Sequence, residues 1–91
     1  MGFIWETPEE MNLNLARRLK AIRKRKGWSQ QELSGRSNVS FGSIKRFETS
    51  GQISLLSLTK LTVALGCDQE IRNLFTDVPY RDIEEVLRER S

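Results

Sequence analysis

Ten basic side chains gather in one stretch of this 91-residue chain: Arg17, Arg18, Lys20, Arg23, Lys24, Arg25, Lys26, Arg36, Lys45 and Arg46. Between positions 17 and 46 the only acid is Glu32. Cationic groups collected without their counter-charges are the footprint of a polyanionic partner. A face that served only solubility would mix the two signs. The acids lie chiefly outside the stretch, at Glu6, Glu9, Glu10 and from Asp68 onward. The summed charge of +3 and the isoelectric point near 9.4 are mild, so the distribution carries the signal.

Other chemistries find little to work with. The chain has no histidine, which removes the commonest general base and metal ligand. Cys67 is the only cysteine, so neither an intrachain disulfide nor a cysteine metal cluster can form, and the thiol reads as a structural, partly buried group. No cofactor or metal is expected. Glu84, Glu85 and Glu89 are adjacent charges on a short amphipathic segment and need only a solvated helix face to explain them, so no enzyme is expected. A pure protein–protein adaptor would make the basic face incidental. No apolar run approaches membrane-spanning length, and Met1 to Trp5 lack the basic and apolar regions of a secretion signal, so a cytoplasmic protein is expected.

The elements that must position these cations read as helices. Ninety-one residues make one small domain, and the pattern predicts an all-α, compact bundle of about five to six short helices. Ser29 has Glu32 three residues on, the spacing of a capping box, with Trp28 and Leu33 placed as a hydrophobic staple. Ser40 repeats the arrangement with Val39 and Ile44. Between the two helices, Asn38 tolerates the left-handed conformation of a sharp turn, and Ser34 is small enough for close approach. Two helices over about 30–36 and 41–48 joined this way suit either an ordinary helical hairpin or a helix-turn-helix, whose second helix enters the major groove of DNA.

Before this pair, Thr7-Pro8-Glu9-Glu10 opens a helix whose apolar stripe is Met11, Leu15, Leu19 and Ile22, ending at Gly27. After it, Ser54 caps a fourth helix with Leu55, Leu58, Leu61, Thr62 and Leu65 on its buried side and Gly66 at its end. Asp68 is expected to cap a short helix through Phe75. The chain divides into an N-terminal arm at 1–7, a DNA-binding domain at 8–75, and a connector with a final helix at 76–91. The apolar arm (Phe3, Ile4, Trp5) is expected to dock on the domain or a partner subunit. The last helix, with Ile83, Val86 and Leu87 apolar, must pack on its own domain or on a second subunit.

Gly27 to Leu33, followed by Val39-Ser40 and by Ile44, Phe47 and Glu48, resembles the lambda-repressor/Cro-like (XRE) helix-turn-helix family over about residues 13–66. That resemblance implies a sequence-specific DNA-binding regulator, a repressor of its own operon, acting as a homodimer on double-stranded DNA. It implies base reading by Ser40, Phe41, Gly42, Ser43 and Arg46, with Lys45 on the flank. Arg46 stands out because a guanidinium makes two bonds to guanine. Phe41 can meet a thymine methyl or belong to the core. Gly42 departs from the polar residue usual there. Gln30 matches the family glutamine that bonds a phosphate and braces the recognition helix. Ser43, Thr49, Lys26 and Arg36 are further phosphate candidates. Arg23 and Glu48 occupy positions that form a buried ion pair in phage-repressor relatives.

A narrower resemblance runs through Phe47 to Leu55, Leu74-Phe75 and Tyr80 to Ile83 to the HipB-like antitoxins. It implies the same DNA-binding half, with the two tails holding a kinase-like toxin.

Overall fold

Capping chemistry sets where the helices begin. The structure, a computed structural model, describes residues 5–77 and Arg88. Among them lie five helices: α1 (Pro8–Arg25), α2 (Gln30–Ser37), α3 (Phe41–Ser50), α4 (Leu55–Leu65) and α5 (Asp68–Arg72). Thr7 caps α1 in a complete capping box with Glu10, and the carboxyl of Glu10 is held below its usual value by the Thr7 backbone N–H and hydroxyl. Ser29, Ser40 and Ser54 each accept a hydrogen bond from the backbone N–H three residues on. Glu32 does not complete its box as its spacing suggests; its carboxylate pairs with Arg36 one turn later, at 2.9 Å. Asp68 is not a cap. Cys67 holds the cap position of α5 without a side-chain bond, and Asp68 pairs with Arg72, which lowers its carboxyl pKa.

Helix ends are equally local. Gly27, Gly51 and Gly66 follow α1, α3 and α4 at positive φ, and Asn38 turns α2 into α3 at φ 61°. That turn is fastened from both sides: Ser34 Oγ donates to the Val39 carbonyl at 2.6 Å, and the Val39 N–H donates to Ser37 Oγ at 3.2 Å.

α1 packs on α3, α2 lies against α3 and α4, and α4 carries α5. The core between them is Ala16, Leu19, Leu33, Val39, Ile44, Phe47, Leu61 and Leu65. Leu33, Val39, Ile44 and Phe47, which the sequence pattern turns inward on and between α2 and α3, are all buried. The stripes expected on α1 and α4 hold in part: Leu19, Leu61, Thr62 and Leu65 are buried, and Ile22 and Leu58 pack against the core. Met11 and Leu15, however, are 55% and 40% exposed, and α1 buries Ala16 and Arg23 beside Leu19. Leu55 is 68% exposed because it opens α4 on the side away from the core. Of the expected final helix only Arg88 is described; the rest of it, like Phe3 and Ile4 of the arm, lies outside the described residues.

Gly51 is where α3 meets α1 backbone to backbone. A methyl group there would stand 2.7 Å from the Asn12 carbonyl carbon and the Leu13 nitrogen, at a φ of +79° that L-residues avoid. Gly42, by contrast, faces open space with no such φ. Gly51→Ala should therefore lose at least about 2 kcal/mol from left-handed strain and overpacking. Gly42→Ala should gain up to about 1 kcal/mol of helix propensity. Thermal denaturation of the two variants beside wild type checks both signs, and a Gly51→Ala protein as stable as wild type would refute the contact.

Candidate nucleic-acid interface

The outward face of α3 and the network behind it make the candidate interface. α3 divides by helical period. Ile44, Phe47 and Glu48 point inward and are buried. Phe41, Gly42, Lys45, Arg46 and Thr49 lie on the opposite side and are exposed. Phe41 is 40% exposed, which puts it on the outward face and not in the core.

Behind α3 stands a buried ionic network. Arg23 grips Glu48 with two bonds, Nε to Oε2 at 2.7 Å and Nη2 to Oε1 at 2.9 Å. Its remaining arm, Nη1, donates to the Trp28 carbonyl at 2.6 Å. Gln30 Nε2 adds a third bond to Glu48 Oε1 at 2.9 Å. One carboxylate thus ties the end of α1, the start of α2 and the end of α3. The pair's side chains are 8% and 4% exposed. Among the described residues no buried side-chain polar atom lacks a partner. Burial pushes the Glu48 carboxyl up, but the bonds from Arg23 and Gln30 outweigh it and hold the group below its usual value. The charges of Arg23 and Lys20 act in the same direction, which places Lys20 in the field of this network.

The side chains on the face are partly pre-set. Ser40 Oγ donates to Ser43 Oγ at 2.8 Å, which leaves the Ser43 hydrogen to be donated outward. Gln30 has a second amide hydrogen beyond the one given to Glu48, so it can brace α3 and meet a phosphate at once. Thr49 spends its hydroxyl hydrogen on the carbonyls of Lys45 and Arg46, at 3.0 and 3.1 Å. Arg46 donates to Gln52 Oε1 across the turn after α3.

Two of the cations named from sequence sit elsewhere. Lys26 and Arg36 flank the Trp28 ring, 5.3 and 4.3 Å from its centroid. Arg36 is also paired with Glu32 and borders α4 beside Lys60 and Val63. The charge of Lys26 is felt at Cys67. The thiol of Cys67 is pushed up by burial and by the nearby Glu70 and Asp68, which suits an unreactive structural group. Composition shows cations but not the aromatic ring that collects two of them. Lys20 is named from the sequence only as a member of the basic cluster, and Gln52 only within the stretch Phe47 to Leu55. Gln52 lacks any sequence signal, because only the turn at Gly51 brings it back to Arg46.

A model of the helix-turn-helix family, of the XRE-like kind, matches residues 19–68, more than half of the chain. The chain belongs to this family and carries its DNA-binding helix-turn-helix. Neither a curated protein nor a solved structure matches it. Among the described residues no helix is long and apolar enough to cross a membrane, and no group of three potential ligands could hold a metal ion.

The network has a pH signature. The folded state holds Glu48 below the ordinary 4.5, so it takes up a proton less readily than the unfolded chain. The stability this supplies is full above about pH 4.5 and is lost as the pH falls through the lowered folded value. Glu48→Ala should cost about 3–5 kcal/mol at pH 7, because it strands the buried guanidinium, and should flatten the acid limb of the stability curve. Arg23→Met with Glu48→Leu should cost less than either single change. Urea titrations from pH 3 to 7 read both effects.

Proposed function

We propose that this protein is a sequence-specific regulator that represses its own operon as a homodimer, with α3 in the major groove. The observation that carries the reading is the two-sided α3: its inner face is locked by the Arg23–Glu48 pair, and its outer face presents Arg46, Lys45, Ser43, Gly42 and Phe41. Arg46 takes a guanine edge, Ser40 and Ser43 hydrogen-bond base edges, and Phe41 meets a thymine methyl. Gly42 lets the groove wall come close to the backbone. Gln30 and Lys45 hold phosphates and set the register without reading sequence. Thr49 joins them by releasing its backbone bond. Lys26 and Arg36 contribute from the Trp28 side as long-range charge.

The homodimer is supported by an apolar hollow of about 220 Å³ between α1, α4 and α5, walled by Leu15, Ile22, Leu58, Ile71 and Leu74. Leu74 in its wall is 51% exposed, and Phe75, next in the chain, is 84% exposed. Apolar surface of this kind marks a protein contact. A two-fold dimer would read half-sites about 34 Å apart and occlude a promoter. The same hollow supports a second reading, an antitoxin of the HipB-like kind whose toxin competes for that surface; a kinase-like neighbouring gene would favour it.

A labelled duplex from upstream of the protein's own gene, set against a shuffled one, tests the main reading. Wild type should prefer the native duplex at least about 10³-fold. Arg46→Ala should lose about 1–3 kcal/mol of that preference. With six to eight phosphates neutralised per dimer, log K should fall against log salt with a slope of about −5 to −7. Equal binding of both duplexes at physiological salt would sink self-repression through this site.

A further inference from the structure

The turn after α3 holds Arg46 in a small closed ring of bonds. Ser50 Oγ donates to the Arg46 carbonyl at 2.6 Å and accepts from the Gln52 N–H at 3.2 Å. The Gln52 side chain then closes the ring, its Oε1 accepting from Arg46 Nη2. Both backbone and side chain of Gln52 are thereby referred to Arg46. Gly51 makes this possible, because its left-handed φ reverses the chain within one residue and its contact with α1 fixes where the reversal occurs. Ser43, Arg46 and Gln52 line one open hollow with Ser54 and Ser57 at the start of α4.

From this geometry we infer that Gln52 is a positioning residue for base recognition: it orients the Arg46 guanidinium, with Ser50 as the pin. The inference rests on Arg46 reading a base edge. A guanidinium has only donors, so the amide must turn its oxygen to Arg46 and its Nε2 hydrogens away. Arg46 keeps four of its five N–H groups for the nucleic acid, as a bidentate contact to guanine requires. A free arginine must give up rotamer freedom on reaching a base, and one already restrained gives up less. The pair therefore sharpens discrimination at one base position. A bond made only to phosphate would strengthen binding to every sequence alike.

Selection from a pool of random-sequence duplexes, read by sequencing, isolates that effect. Wild type, Arg46→Ala, Gln52→Met and Gln52→Glu are run in parallel, with melting temperatures recorded for each. Wild type should enrich a motif containing a guanine that Arg46→Ala no longer enriches. Gln52→Met removes the acceptor at nearly constant length. It should weaken enrichment of that same guanine about twofold to tenfold, the worth of one hydrogen bond, and leave the other positions of the motif intact. Gln52→Glu keeps an acceptor and should restore the guanine. If Gln52→Met gives the wild-type motif, or weakens all positions together, the positioning role is overturned while base reading by Arg46 stands. If Arg46→Ala enriches the same motif as wild type, base reading itself falls and the inference falls with it.

Discussion

The two-bond grip of Arg23 on Glu48 is the constraint on which the rest of this molecule depends. It joins residues 25 positions apart, at the end of α1 and the end of α3, where only eight apolar side chains are buried among the described residues. A buried pair of charges stabilises little by itself, because desolvation opposes the Coulomb attraction. What it supplies is geometry. Each of the bonds around it, from Trp28 and Gln30 as much as from Arg23, has a direction, and apolar contacts do not. α3 is therefore held at one angle and one depth relative to α1 and α2. A helix that is to meet base edges within hydrogen-bond tolerance, as proposed for α3, needs that definition more than it needs another leucine.

Gly51 does for the backbone what Glu48 does for the side chains. The carboxylate fixes the last turn of α3 from its buried face, and three residues later the glycine lets the chain touch the backbone of α1 directly. Together they leave the C-terminal end of α3 little freedom to pivot. The N-terminal end is held by the Ser34 and Ser37 bonds across the turn. The short interhelical turn and the buried network are thus two ends of one clamp, with the exposed side of α3 stretched between them.

Most of this frame was legible in the residues, because helix caps and turns are local chemistry. Ser29, Ser40, Ser54 and Asn38 behave as their types and spacing suggest. The inward residues of α3 are equally plain, since a ten-residue helix with Ile44, Phe47 and Glu48 on one side leaves a single way to face the core. Legibility falters where a stripe is wide. On α1 and α4 the leucines cover more than one face, and periodicity does not say which part meets a neighbour; Leu55 and Met11 end outside while Ala16, too small to notice, sits at the centre. The cations show the same difficulty. Charge alone cannot separate Arg46, on α3, from Arg36, which a tryptophan and a glutamate engage. The partnership of Gln52 with Arg46 was hidden because it exists only once the turn has formed.

The division of α3 into a locked back and an open front bears on how such a protein can change over generations. Phe41, Gly42 and Lys45 lie at the surface, and Gly42 borders empty space. Exchanges there leave the clamp untouched, so under the proposed base reading by α3 single codon changes would retune the preferred target without first crossing a valley of unfolded intermediates. Arg46 is less free, since its replacement also idles Gln52. Under that reading, drift in target preference should run fastest through the first turn of α3 and slowest near Arg46, where the proposed recognition and the turn after the helix share the same residues.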